Sequence, residues 1–279
     1  MSEASERSPS GPGTPSESAL YAEGRPCWVD LLAHQQEAAM EYYANLFGWR
    51  YEVSPPEHGG YALAKVGTMA VAGIGRPPGG SAPNAAAFWT TYLAADDAAA
   101  MAERAQSFGA TVLVRPMPVG DAGRLAVLAD PTGAVFGLWE AGGHPGAQLT
   151  GMQSTMCWHE LQTRDTAAAR GFYLSAFEYE IDKIDAPDVD YTVLTIGDEP
   201  VAAVTTLPAD LPPQVPAHWL VYFAVVDVDD ACAAAERHGG GVLRGPLDSP
   251  YGRYAVVLDP FGALFAMITP PSSPRTPSE

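Results

Sequence analysis

The strongest constraint on this chain is that it repeats itself. Cys27-Trp28-Val29-Asp30-Leu31 returns 130 residues later as Cys157-Trp158-His159-Glu160-Leu161. Tyr42-Tyr43 with Leu46-Phe47 returns as Phe172-Tyr173 with Ala176-Phe177. Tyr61, Trp89, Tyr92, Asp97, Gly109 and Pro116 return as Tyr191, Trp219, Tyr222, Asp227, Gly239 and Pro246. Further on the offset is 129: Gly123-Arg124 is matched by Gly252-Arg253, and Asp130-Pro131 with Gly133 by Asp259-Pro260 with Gly262. One residue is therefore missing between Pro246 and Gly252. Such self-similarity marks a repeated structural unit. Every site in one copy has a counterpart in the other, and differences between the copies show which positions have been freed or reused.

The 279 residues divide into a tail (1–22), a first module (23–142), a linker (143–152), a second module (153–269) and a second tail (270–279). Each module is long enough for its own core. Both tails are rich in Ser and Pro and are expected to be disordered. A net charge of −18 argues against nucleic acid and against an anionic membrane surface, which both call for basic patches. No run of 18 apolar residues exists, and the N-terminus has no apolar core, so a cytoplasmic protein is expected. Three cysteines without CxxC spacing form neither a disulfide framework nor a zinc site.

Hydrophobic periodicity predicts, for the first module, strand 26–33, helix 36–47, strands 60–66 and 69–75, a Pro/Gly/Asn loop at 77–84, strand 86–94, helix 97–108 and strands 110–116, 123–129 and 134–140. The second copy reads 156–162, helix 165–177, 190–196, 200–206, 217–225, helix 227–238, 241–244, 252–258 and 263–268. Asp97 and Asp227 are placed as helix N-caps, and Asp130 and Asp259 as turn residues. Strand, helix and three strands, given twice per module, make four βαβββ units. The expected class is α+β: two curved, open mixed β-barrels flanked by helices.

The aromatic pair before Leu46-Phe47-Gly48-Trp49, and Asp-Pro-x-Gly before an apolar strand (130–138, 259–267), resemble the vicinal oxygen chelate superfamily. That superfamily includes glyoxalase I, fosfomycin-resistance enzymes, bleomycin-binding proteins and extradiol dioxygenases. The resemblance covers residues 25–269 and implies a fold more than an activity, since this fold hosts many chemistries.

In metal-using members the ligand positions fall, by this resemblance, on Trp28, Phe88 and Gly137 in the first module and on Trp158, His218 and Ala266 in the second. The expected architecture combines the first strand of one module with later strands of the other, giving Trp28–His218–Ala266 and Trp158–Phe88–Gly137. A cation needs at least three convergent N, O or S donors, and only His218 qualifies. Glu140 or His159 would need a one-residue register slip to join. No metal and no cofactor are expected.

Strand parity turns Asp30 inward with Trp28, and Glu160 inward with Trp158. His218 with Asp30 is the candidate acid–base pair. Trp28, Trp158, Glu160, Phe88, Trp89 and Trp219 are the candidate ligand-binding residues, an aromatic wall with a few polar groups. Bland roles stand beside these. The tryptophans can plug a core, the carboxylates can pair with Arg124 and Arg253, His218 can be a satisfied buried histidine, and His159 is expected to face outward. Two function classes remain open. One is a protein that binds or sequesters a small, partly aromatic antibiotic or metabolite. The other is a lyase, isomerase or cyclase of secondary metabolism. A metal-dependent glyoxalase, dioxygenase or thiol transferase ranks last. One chain supplies two cavities, so a monomer suffices and a dimer is an option.

Overall fold

The computed structural model describes residues 21–79, 85–184 and 190–270; the outer parts of both tails and part of the predicted 77–84 loop lie outside them. The first module runs β1 (Pro26–Leu32), α1 (Gln36–Phe47), β2 (Arg50–Val53), β3 (Ala62–Val66), β4 (Met69–Gly75), β5 (Phe88–Ala94), α2 (Ala98–Ser107), β6 (Thr111–Val119), β7 (Gly123–Ala129) and β8 (Val135–Ala141). The second repeats it as β9 (Met156–Thr163), α3 (Thr166–Phe177), β10 (Glu180–Ile184), β11 (Tyr191–Ile196), β12 (Glu199–Thr206), β13 (His218–Ala224), α4 (Val228–Arg237), β14 (Gly241–Ser249), β15 (Gly252–Leu258) and β16 (Leu264–Thr269). The expected βαβββ units are present. Strands β2 and β10 were not anticipated: the first is four residues long and exposed or half-buried throughout, so it carries no apolar alternation.

Each module is one open eight-stranded sheet, β2-β3-β4-β1-β5-β8-β7-β6 and β10-β11-β12-β9-β13-β16-β15-β14. Two βαβββ units join edge to edge through their first strands. β1 runs parallel to β4 and antiparallel to β5, and β5 runs parallel to β8. The helix ends follow from local chemistry. Asp97 accepts from the backbone N–H of Ala99 and Ala100, and Asp227 from that of Asp230, as expected of N-caps. Helix α1 stops at Gly48, whose left-handed φ of 72° lets its N–H reach Ala44 O.

Alternation along β1 decides what each face does. Leu31 and Trp89 are directly opposed on one face, and the Trp89 Nε1 donates to Tyr43 Oη of α1 at 3.0 Å. That helix-covered face holds the core, and the core crosses between modules. Tyr43, Phe47, Trp49 and Trp89 of the first module pack against Phe223 and Phe265 of the second. Tyr43 donates to Asp259 Oδ2 at 2.9 Å. The mirror image is present: Trp219 Nε1 donates to Tyr173 Oη at 3.0 Å, and Tyr173 donates to Asp130 Oδ2 at 3.1 Å. Phe136 of the first module packs there against Phe172, Tyr173 and Phe177. Asp130 and Asp259 thus hold their own turns, through the N–H groups of Thr132 and Ala134 and of Phe261 and Ala263, and also anchor the other module's helix.

This reciprocal core predicts one cooperative unfolding transition rather than two. Tyr43→Phe leaves a buried carboxylate oxygen and a buried indole N–H short of a partner, and is expected to cost about 1–3 kcal/mol. Urea unfolding checks both. Tyr173→Phe should cost a similar amount, and two separate transitions would contradict the shared core.

Candidate functional site

The opposite face of each sheet, away from the helices, carries the polar chemistry. In the first module Asp30 stands between Gly73 on β4 and Thr90 on β5, and Trp28 stands opposite Tyr92, which in turn lies opposite Gly137 on β8. Tyr61 and Tyr92 both donate to Asp30 Oδ2, at 3.4 and 3.2 Å. Trp28 Nε1 donates to Tyr61 Oη at 3.0 Å. The result is a Trp–Tyr–carboxyl–Tyr tetrad. Both tyrosines lie over glycine: a Cβ on Gly73 would overlap the Tyr61 hydroxyl, and one on Gly137 would overlap the Tyr92 ring.

The second module builds the tetrad again. Trp158 Nε1 donates to Tyr191 Oη at 2.9 Å. Tyr191 donates to Glu160 Oε1 at 3.0 Å, and Tyr222 to Glu160 Oε2 at 2.7 Å. Gln162 adds a longer contact to Oε2 at 3.4 Å. Asp30 and Glu160 are 7% and 8% exposed, so desolvation dominates both. Burial pushes the Asp30 carboxyl up to about 7, against the hydroxyls of Tyr92, Tyr61 and Thr90, which favour the anion. Burial likewise raises Glu160, against Tyr222, Tyr191 and Gln162. Every tyrosine of the two tetrads is pushed well up by burial and stays a neutral donor.

Several expectations need correcting. The tetrads form within modules, so the expected combination of one module's first strand with the other's later strands is not what the chain builds. Asp30 is held by tyrosines of its own sheet, and His218 lies on the other sheet, opposite Gln162. His218 Nδ1 contacts Pro216 O at 2.9 Å, its Nε2 is buried without a partner, and burial lowers its pKa. The His218–Asp30 pair is not assembled; His218 belongs to the rim of the Glu160 face. Phe88, its counterpart, is 47% exposed at the rim of the Asp30 face. Trp89 and Trp219 are not on either polar face. They have the opposite parity to Phe88 and His218 and are bonded into the core through Tyr43 and Tyr173. His159 does not face solvent. It is 4% exposed at the seam between modules, with Nδ1 3.1 Å from Thr91 Oγ1, and burial depresses its pKa to about 3. Arg124 and Arg253 pair with Glu140 and with Asp229 and Asp248, not with Asp30 or Glu160.

Sequence reasoning passed over four tyrosines and a histidine. Tyr61, Tyr92, Tyr191 and Tyr222 carried a signal, because they are duplicated at the same spacing. His144, in the linker, carried none. Its ring lies edge-on to Trp28 at 4.4 Å and near Trp139 at 5.7 Å, while its backbone O accepts from Trp139 Nε1. A cleft of about 140 Å³ also opens at the module seam, lined by Arg25, Cys157, Trp158 and Pro200 among others.

The ligand positions implied by the family resemblance hold an indole, a phenyl and a hydrogen in the first module, and an indole, one imidazole and a methyl in the second. Among the described residues no three His, Cys, Asp or Glu side chains gather in a way that could hold a metal ion. This donor set does not fit a resident cation. No helix among the described residues is long and apolar enough to cross a membrane.

Known proteins share this architecture. The chain is 39% identical over 254 residues to the putative glyoxylase CFP32 of Mycobacterium tuberculosis, covering 90% of this chain and 96% of the relative. It is 37% identical over 260 residues to the anthracycline biosynthesis protein DnrV of Streptomyces peucetius, covering 89% and 94%. Among solved structures, the Mn(II)-bound glyoxalase from Novosphingobium aromaticivorans aligns with a TM-score of 0.61 at 15% identity over 89% of this chain and 83% of that one. The 2,3-dioxygenase LapB from Pseudomonas sp. KL28 aligns with a TM-score of 0.62 at 15% identity over 92% and 96%. At those identities they show the fold alone. The family profile matches twice, over residues 27–138 and 154–267. With the paired βαβββ sheets and these relatives, that double match settles descent: the chain belongs to the Glyoxalase/Bleomycin resistance protein/Dioxygenase superfamily.

Proposed function

We propose that this chain is a metal-independent member of its superfamily that binds a small, partly aromatic organic molecule on a helix-free sheet face. One observation carries the reading. Where a cation would need donors the chain places carbon groups at every position but His218, and on the same face it places a buried carboxyl, two tyrosine hydroxyls and an indole. Flat aromatic surface with a few fixed polar groups suits a small organic ligand. The name of the relative DnrV supports a role in making or handling a polycyclic aromatic metabolite. Binding without turnover, as in self-resistance, is the leading form of the proposal.

A second reading is favoured by Asp30. Burial leaves its carboxyl at about 7, where it holds or releases a proton near neutrality. Tyr61 and Tyr92 steady the anion by donating to Oδ2. Such a group can move a proton on a bound substrate and so serve a lyase, isomerase or cyclase. In that case Asp30→Asn abolishes turnover while leaving a substrate analogue bound.

The metal claim is checked on purified protein. Elemental analysis should find well below one transition metal or zinc per chain, and a chelator should leave ligand binding intact. A stoichiometric metal whose removal ends binding would overturn the proposal.

The titration of Asp30 has a sign. Its carboxyl rises in the fold from the usual value near 4, so the folded chain holds this proton more tightly than the unfolded chain does. The stabilisation is fully present below about pH 4 and is lost as pH climbs through about 7. Asp30→Asn removes this slope. The melting temperature of the variant minus that of the wild type should therefore increase from pH 4 to pH 8; a constant difference would show that Asp30 is ordinary.

A further inference from the structure

We propose that the cleft at the module seam is a binding site for a single-ring aromatic acid that also carries an N–H or O–H donor. Trp158 meets the ring, the Cys157 carbonyl accepts from the donor, and Arg25 meets the carboxylate. The site goes beyond the reading above, since it lies at the seam and uses neither Asp30 nor Glu160.

The duplication shows what such a cleft suits. Cys157, Trp158, Pro200 and Val201 line it, and at the 130-residue offset they are the copies of Cys27, Trp28, Ala70 and Val71. In the first module the linker fills that slot. The N–H of Ala147 donates to Cys27 O at 2.8 Å, and the N–H of Gln148 to Ala70 O at 2.8 Å. Gln148 Oε1 accepts in return from the Ala70 N–H. The His144 ring lies edge-on to Trp28, with centroids 4.4 Å apart. The approach is close: a Cβ on Gly146, whose φ is 101°, would come within 2.6 Å of Cys27 O. Covered in this way, Cys27 and Trp28 are 1% and 3% exposed, whereas Cys157 and Trp158 are half-buried. The first slot therefore gives the pattern for the second: an N–H on the cysteine carbonyl and a flat ring against the tryptophan.

Two differences decide what else the occupant carries. Pro200 has no N–H, so the cleft lacks the donor that Ala70 gives to Gln148. A cation stands there instead. Arg25, just before β1, is the one charged residue among the described residues lining the cleft. Its Nη1 pairs with Glu199 Oε2 at 2.6 Å, and the two side chains are 38% and 67% exposed. An exposed pair of this kind contributes about 0–1 kcal/mol, and the guanidinium fork keeps further N–H groups for a carboxylate. Burial pushes the Cys157 thiol up to about 12 and His159 down to about 3, so both stay neutral beside an incoming anion. Tyr21 joins the two slots, because it donates to Ala147 O of the linker and also lines the cleft. The segment that closes the first slot thus fixes one wall of the second. A volume of about 140 Å³ suits one substituted ring.

Isothermal titration calorimetry with the full chain tests the site, using 3-hydroxybenzoate, the uncharged 3-hydroxybenzyl alcohol and benzoate, which lacks the donor. The wild type should bind one 3-hydroxybenzoate per chain, about tenfold or more tighter than the alcohol and about fivefold tighter than benzoate. Arg25→Gln should bind the acid about tenfold more weakly and the alcohol within about twofold of wild type. Cys157→Phe fills the cleft and should weaken both about tenfold or more. Arg124→Gln removes an exposed arginine from β7 and should leave both within about twofold of wild type. Circular dichroism confirms folding of each variant. Where Cys157→Phe fails to fold, the acid-to-alcohol ratio of Arg25→Gln against that of Arg124→Gln decides. A wild type that does not bind the acid, or that binds acid and alcohol alike, overturns the proposal. So does an acid affinity untouched by Arg25→Gln or lowered as much by Arg124→Gln. Benzoate binding as tightly as 3-hydroxybenzoate overturns the role of the Cys157 carbonyl. None of these outcomes bears on the sheet-face reading, which Asp30→Asn and the metal analysis test separately.

Discussion

The fold depends on a trade between the modules. Each opening helix presents a tyrosine that bridges an indole N–H of its own sheet to an aspartate in a turn of the other: Trp89–Tyr43–Asp259 and Trp219–Tyr173–Asp130. Three desolvated polar groups satisfy one another inside an aromatic core, and a fully satisfied buried network fixes one arrangement where an apolar core alone would allow several. Because the helix-bearing faces of both sheets are consumed in this contact, the tetrads are left to the opposite face of each sheet. The position of the candidate sites is a consequence of how the core is shared.

The two polar faces differ in sequence more than the shared core does. The cross-module core is symmetric in its chemistry, with the same Trp–Tyr–Asp relay on both sides, since a change in one half must be met by the other. The outward faces have no such partner and are free to diverge. Divergence came as a coordinated set: Asp with two glycines beneath its tyrosines in one module, Glu with two alanines in the other. A Cβ on Gly73 or Gly137 would overlap Tyr61 or Tyr92, so neither glycine can change without moving a tyrosine off its carboxyl.

Most of the fold was legible in the sequence, and the site only in part. The helix boundaries followed from periodicity and from Asp97 and Asp227, because capping is local chemistry. β2 escaped, since a short exposed edge strand buries nothing and so shows no alternation. The tetrads were half visible: Trp28 with Asp30 and Trp158 with Glu160 share parity, and parity survives folding. Their tyrosine partners lie 31 and 62 residues further along the chain, and only strand order decides which face they reach. Trp89 and Trp219 neighbour Phe88 and His218, the positions implied by the family resemblance, so alternation along β5 and β13 turns the two tryptophans into the core. The His218–Asp30 pair failed for a topological reason, since β1 pairs with β5 of its own module and β13 with β9.

The same topology decides which residues meet on the polar face. On this fold the first strands of the two units lie side by side, so residues on β1, β5 and β8 converge on one patch of the polar face whatever they are. With N and O donors that patch would chelate. Here it converges Trp28, Tyr92 and the flat surface above Gly137, and the hydrogen-bonding capacity has moved two residues along the strand, to Asp30. A carboxyl buried without a cation must be neutralised by a proton or by donors, and both are present: tyrosine hydroxyls that stay protonated, and a carboxyl raised toward neutrality. The same burial that raises the carboxyl keeps the surrounding hydroxyls protonated, so the patch presents fixed neutral donors around one titratable oxygen pair.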